Sequence, residues 1–185
     1  MTYYTVRGIV GRGLPVLLIT CVIGIAAGQV LNSRVDSLIS MPVLLMMIPA
    51  LIKIGGDTGS MLGARLSSAF HMGFGSHIHK NPVIRNSVIA ALIVGMIASI
   101  ALSMIVWFVS TWMNLGMGFV TLLQISLITT SLELLIVFSA TIVIAVTSHR
   151  YGLDPDDTVI PLIATIGDLV GVLGIFIALY VLGII

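Results

Sequence analysis

Long apolar stretches alternate with short polar segments along this chain. A helix that crosses the hydrocarbon core of a bilayer needs about 20 mostly apolar residues. That rule predicts five membrane spans, at residues 14–31, 38–69, 88–109, 119–146 and 158–185. The strict apolar–polar alternation of a membrane β-barrel is absent, and the apolar runs have the length of helices. The pattern therefore predicts an all-α integral membrane protein with five transmembrane helices.

The composition agrees with this interpretation. Of the 185 residues, 58% are hydrophobic and 8% are charged, whereas a soluble domain has about 25% charged residues. No long polar linker separates the spans, so we expect residues 1–185 to form one multi-pass domain in the lipid bilayer of the cell membrane, without a soluble regulatory domain. The net charge of +1 argues against a nucleic-acid partner. The single cysteine excludes a disulfide framework within the chain.

Lysine and arginine residues indicate the orientation of the predicted helices. Loops rich in these residues usually face the cytoplasm. On one side of the predicted membrane, the basic residues are Arg7, Arg12, Lys80, Arg85 and Arg150. On the opposite side, the connections between spans contain one basic residue, Arg34. We therefore expect a cytoplasmic amino terminus and a carboxyl terminus outside.

Four ionisable residues lie toward the middle of the predicted spans, where each costs at least a few kcal/mol near the bilayer centre. They are Lys53, Asp57, Glu133 and Asp168. Asp168 lies about eleven residues into the fifth span, roughly 16 Å along the helix axis. Its own span contains no cationic residue. This carboxylate must therefore be protonated, face a water-filled cavity or meet a cation.

The fifth span presents further oxygen atoms on the same face as Asp168. At about 100° per residue this face also contains Asp157, Pro161 and Ala164. Because Pro161 has no N–H, the carbonyl of Asp157 loses its helical partner. Carboxylate and carbonyl oxygens are the ligands that Mg²⁺ and Ca²⁺ prefer. The nearby Asp154 and Asp156 either form an acidic entrance or cap the helix.

Gly167, Gly171 and Gly174 follow a spacing that lets two membrane helices approach closely. The approach is either within one chain or across a dimer axis. If the fifth helices met at a two-fold axis, two Asp168 carboxylates would converge, and a divalent cation would be their natural counter-charge.

The second span contains three glycines within Gly55–Ser60, each of which weakens a helix by about 1 kcal/mol relative to alanine. The apolar stretch would be about 50 Å long as one straight helix. We therefore predict a long or bent second helix with a glycine-rich break, which places Asp57 beside a pathway. The alternative is a simple kink.

Glu133 in the fourth span follows the hydroxyl residues 129–131. It either binds a coupling ion or proton, or pairs with Lys53 or Arg65. A separate group of histidines lies near the second connection, at His71, His77 and His79, together with Lys80. We interpret this group as a solvated loop rather than a transition-metal site.

Two groups of residues resemble a known family. The segments Pro49–Leu51, Gly55–Ser60 and Ala64–Ala69 resemble the second-helix motif of the MgtE-type magnesium transporters, and most closely their animal solute-carrier branch. The segments Asp154–Asp157, Pro161–Leu162 and Gly167–Leu169 resemble the signature of the last helix in that family. The family's common Gly-Asn is Gly56-Asp57 here, which adds a negative charge.

The resemblance implies a homodimer that transports Mg²⁺ through a pore lined by the second and fifth helices. Asp168 from each chain would hold a hydrated Mg²⁺ at the centre, with the carbonyls near Ala164 and Thr165 as the next candidates. Asp57 and Asp157 are further metal-binding candidates from the residues themselves. The remaining pore or coupling candidates are Gly56, Pro161, Glu133, Gly167 and Gly171.

The sequence is compatible with other functions. The transported ion is Mg²⁺ or another divalent cation such as Mn²⁺, Co²⁺ or Zn²⁺, with or without coupling to Na⁺ or H⁺. A non-transporting membrane subunit is a second alternative. An intramembrane aspartyl protease is a third, but Thr165 stands where the Gly-x-Gly-Asp pattern of those enzymes needs its first glycine. We therefore do not expect an enzyme.

Overall fold

The computed structural model describes residues 5–73 and 82–185 of the chain. These residues form six helices, five of which are long and apolar enough to cross a membrane. The helices are α1 (Val6–Asn32), α2 (Val35–Ile39), α3 (Pro42–His71), α4 (Pro82–Trp112), α5 (Phe119–Arg150) and α6 (Pro155–Val181). The short α2 is the one that does not qualify as a span. The predicted all-α membrane architecture with five long helices is confirmed.

The helices extend beyond the predicted apolar stretches, chiefly at their polar ends. The first helix begins at Val6 and includes Arg7 and Arg12, and α5 continues to Arg150. A helix need not end where its apolar stretch ends, because its outer turns can lie in the polar interface of the bilayer. Proline at the first position of α3 and of α6 suits a helix start. The five-residue α2 was not predicted.

Helices α3, α5 and α6 pack against one another at the centre of the bundle. Helix α4 packs against α3 and α5, α1 packs against α6, and α2 packs against α3. One buried apolar cluster surrounds Leu44 and Ile175, and a second surrounds Leu62 and Ile163. Along α3 and α6, the segment between these clusters contains Gly56 and Gly167. Lys53 and Asp57 of α3 and Asp168 of α6 also lie between the two clusters.

The glycine-rich segment Gly55–Ser60 stays helical, so the predicted break does not interrupt α3. A Cβ atom on Gly59 would lie 2.7 Å from Ile163 Cγ2, and one on Gly55 would overlap the Glu133 carboxyl group. The glycines therefore serve close packing against α5 and α6. That packing stabilises the helix where its intrinsic propensity is weak. The predicted long second helix is present, with 30 residues.

The three glycines of α6 face helices of the same chain. A Cβ on Gly167 would collide with the backbone of Gly56, at 2.7 Å from its amide nitrogen. Gly171 faces Ile52 of α3, and Gly174 faces Thr129 of α5. Of the two predicted roles for this spacing, the structure therefore selects packing within the chain.

Candidate functional site

Asp168 forms an ion pair with Lys53 between the central turns of α6 and α3. Lys53 Nζ donates a hydrogen bond to Asp168 Oδ1 at 3.0 Å. Of the three states that the sequence left open for this carboxylate, the structure selects contact with a cation, which the neighbouring helix supplies. The two side chains are 52% and 31% exposed. The pair is therefore open on one side of the chain.

Polar residues on one face of α3 extend the surface that contains the Lys53–Asp168 pair. Residues 53, 57, 60 and 64 follow the spacing of one helical face. Lys53 and Asp57 are exposed, and Ser60 is partly exposed. The Ser60 hydroxyl donates to the Ile160 carbonyl of α6 at 3.3 Å. This contact and the ion pair connect the exposed face of α3 to that of α6.

Helix α6 contributes the face that the sequence predicted. Asp157 is exposed, and Pro161, Ala164 and Asp168 are partly exposed, whereas Val159, Ile163 and Gly167 on the opposite side are buried. Pro161 lies within the helix, so it offers the Asp157 carbonyl no N–H. The Thr165 hydroxyl donates to the Pro161 carbonyl at 2.9 Å. We use the term charged face for Lys53, Asp57 and Ser60 together with Asp157, Pro161, Ala164 and Asp168.

Asp154, which precedes the charged face, has a structural role at the start of α6. Asp154 is the N-cap residue, and its carboxylate accepts a hydrogen bond from the Asp156 amide at 3.0 Å. The predicted capping role is confirmed for Asp154. His71, at the end of α3, places Nε2 3.8 Å from Asp154 Oδ1. The other two residues of the predicted histidine group, His77 and His79, lie outside the described residues.

Glu133 lies near the middle of α5 and is completely buried. Its carboxyl group lies against Gly55 of α3. Within the described ranges, neither carboxyl oxygen has a hydrogen-bond partner, and the hydroxyls of Thr129 and Thr130 also lack one. The predicted pairing of Glu133 with Lys53 or Arg65 therefore does not occur among these residues, and Lys53 binds Asp168 instead. Glu133 is thus a polar group behind the charged face rather than part of it.

The charged face combines features that suit a hydrated cation. Asp57 and Asp168 lie at the middle of long apolar helices and offer hard oxygen donors. The carbonyls of α6 and the Ser60 hydroxyl offer further oxygen atoms. Lys53 adds a positive charge among them, and the sequence did not predict this contact. The signal that could have suggested it is a lone lysine at mid-helix, which requires an anionic partner.

The comparison with protein families gives one match. The model of a family described as MgtE, a divalent cation transporter, matches residues 48–178. The matched region runs from α3 to α6 and includes the whole charged face. No curated protein and no solved structure matches the chain significantly.

Proposed function

The chain belongs to the MgtE family of divalent cation transporters, and from this premise we propose that it conducts Mg²⁺ along the charged face of α3 and α6. The observation that carries the proposal is the open Lys53–Asp168 pair at the middle of two membrane-length helices. Charged side chains at this depth avoid lipid and face water or polar groups. An aqueous path along the charged face satisfies that requirement.

The path forms between two copies of the chain. A two-fold axis brings the same surface of each protomer into contact. With the charged faces opposed, lipid is excluded from both, and two Asp168 carboxylates approach one path. The glycines of α6 pack within the chain, so the dimer contact uses the exposed side of the α3–α6 pair. The bilayer surrounds the remaining apolar surface, including the largely exposed α1.

Mg²⁺ fits the chemistry of this path. The charged face offers carboxylate, carbonyl and hydroxyl oxygens and contains neither histidine nor cysteine, which Zn²⁺ prefers. Mg²⁺ gives up its water ligands reluctantly. The two Asp168 carboxylates therefore bind the hydrated ion through its waters, with the carbonyls of Ala164 and Thr165 close by in the chain. Asp57 and Asp157 extend the negative charge along the path.

The proposal also includes the orientation of the chain in the membrane and the residue that binds a coupling ion. The distribution of lysine and arginine favours a cytoplasmic amino terminus, which places Asp157 at the cytoplasmic end of the path. Glu133 is the candidate for binding a coupling Na⁺ or H⁺, because its buried carboxyl oxygens have no hydrogen-bond partner within the described ranges.

Purified protein in liposomes tests the proposed transport. We expect external Mg²⁺ to enter proteoliposomes, detected by an internal Mg²⁺-sensitive dye, and not to enter protein-free liposomes. Repeating the measurement with Mn²⁺, Co²⁺ and Zn²⁺ ranks the ions, and imposed Na⁺ or pH gradients reveal coupling. Absence of divalent cation flux from vesicles with verified protein insertion would contradict the proposal.

Cross-linking at the charged face tests the proposed dimer. In a Cys21→Ala background, Ser60→Cys should give a cross-linked product of twice the 19.6 kDa chain mass after treatment with a short bismaleimide. Position 60 lies on the charged face, so the two introduced thiols face each other across the path in the proposed dimer. Val143→Cys is the control, since Val143 of α5 is 64% exposed and away from that face. Equal cross-linking at both positions, or a monomeric mass in detergent, contradicts this arrangement.

A further inference from the structure

Lys53 places a positive charge on the carboxylate that is proposed to bind the transported cation. The distance from Nζ to Asp168 Oδ1 is 3.0 Å. A divalent cation and this ammonium group therefore compete for the same oxygen atoms. The pair is open on one side, since 52% of the Lys53 side chain is exposed, so an incoming ion can reach it without unpacking the helices.

We propose that Lys53 is a tethered competitor of the divalent cation, with its ammonium group on Asp168 before the ion arrives and on Asp57 while the ion is bound. This inference rests on the proposed transport function, because it assigns a regulatory residue to the same site. It makes Lys53 a determinant of the concentration at which the site fills.

The position of Asp57 supports the second location of the ammonium group. Asp57 follows Lys53 by four residues on the same helix, and side chains with this spacing are neighbours. Both residues are exposed on the charged face. The flexible four-carbon stem of lysine can therefore move between the two carboxylates by rotation about its side-chain bonds, while α3 stays in place.

The charges of the site explain why such a competitor matters. In the dimer, each Lys53–Asp168 pair is neutral, so the two Asp168 carboxylates attract a divalent cation weakly while the negative charge beside them lies on the two Asp57 carboxylates. When both ammonium groups move to Asp57, the two Asp168 carboxylates are left with two negative charges, which match the ion. Glu133 is not a third partner of the ammonium group in the described part of the chain, because its carboxyl group is buried against Gly55 and Lys53 pairs with Asp168.

A purely structural role explains the pair less well. Partly exposed ion pairs contribute little to stability, and a lysine at the middle of a membrane helix is costly. A residue that only stabilised the helix contact could be apolar at this position, as its neighbours Ile52 and Ile54 are.

The test is the Mg²⁺ concentration that gives half-maximal flux in proteoliposomes. Lys53→Gln should lower this concentration at least about fivefold, because the competing charge is gone. Lys53→Arg keeps the charge and should not lower it. Arg34→Gln removes one exposed positive charge outside the charged face, and is the matched control in which the concentration stays unchanged.

The role of Asp57 is tested by a double-mutant cycle. Asp57→Asn should raise the half-maximal concentration at least about threefold, because the ammonium group loses its second partner. In a Lys53→Gln background the same change should have less than half that effect. If the two effects multiply instead, Asp57 acts on the metal alone and the exchange between carboxylates is wrong.

The outcomes separate this inference from the proposed function. One outcome is loss of flux in Asp168→Asn together with an unchanged or higher half-maximal concentration in Lys53→Gln. This outcome overturns the competitor role of Lys53 and is consistent with the proposed transport function. Unaltered flux in Asp168→Asn overturns the transport site itself. If Lys53→Gln and Lys53→Met both fail to fold while Lys53→Arg folds, Lys53 is a structural residue and the inference is also overturned.

Discussion

Replacing Asp168 by asparagine should remove most of the Mg²⁺ flux while the protein remains folded. The substitution keeps the size of the side chain and removes its charge, so the hydrated cation loses its central anionic partner in both protomers. Loss of even an outer-shell partner weakens a metal site about 10- to 100-fold. We therefore expect flux at low Mg²⁺ concentration to fall at least about tenfold. Dye-reported uptake into proteoliposomes is the measurement.

Two further variants make this experiment specific. Asp36→Asn applies the same chemical change to an exposed carboxylate of α2, and it should retain flux. Asp168→Asn leaves the Lys53 charge without its partner, which can itself destabilise the protein. The double variant Lys53→Gln/Asp168→Asn removes both charges and should fold normally without transporting. Flux in that double variant at the wild-type level would show that Asp168 is not the cation site.

The sequence predicted the spans well because a single physical requirement determines them. Each membrane helix must cover the hydrocarbon thickness with apolar residues, and all five predicted spans correspond to long helices. The ends were less accurate, since α1 begins at Val6 and includes two arginines that the apolar pattern left out. The short α2 carries too little apolar pattern to be recognised.

The sequence also predicted the face of α6, because helical periodicity places residues 157, 161, 164 and 168 together regardless of the rest of the fold. Periodicity alone could not predict which helix supplies the partner of Asp168, although the family resemblance implied that the second and fifth helices line one pore. The partner of Asp168 lies 115 positions away along the chain, and pairing over this distance depends on how the helices pack. Likewise, the spacing of Gly167, Gly171 and Gly174 indicates a close helix contact but not whether the contact lies within the chain.

The glycine-rich segment of α3 illustrates the competition between local propensity and packing. Intrinsic propensity disfavours helix at Gly55–Ser60, and the predicted break followed from that preference alone. In the structure, the missing side chains allow α5 and α6 to approach, and packing against these two helices keeps α3 continuous. The sequence therefore located the special segment correctly but did not reveal its conformation.

Gly167→Ala should disrupt the contact between α3 and α6 and thereby lower both stability and flux. The added methyl group would collide with the backbone of Gly56, lying 2.7 Å from its amide nitrogen, so the helices must move apart. Overpacking of this kind costs about 1–3 kcal/mol, which corresponds to a decrease in Tm of roughly 2–12 °C for a chain of this size. Thermal unfolding of the purified protein in detergent is the measurement.

The glycines of the chain provide a graded series of controls for this collision. Gly174→Ala should be milder, because its methyl group would lie 3.1 Å from a side-chain atom of Thr129, which can shift more easily than backbone. Gly24→Ala in α1 has no atom within 4 Å of the new Cβ and should leave Tm unchanged or raise it, since alanine favours helix. The expected Tm therefore rises from Gly167→Ala through Gly174→Ala to Gly24→Ala. Because the Gly56–Gly167 crossing lies beside Lys53 and Asp168, flux should follow the same ranking. A normal Tm for Gly167→Ala would mean that α3 and α6 do not cross at these glycines.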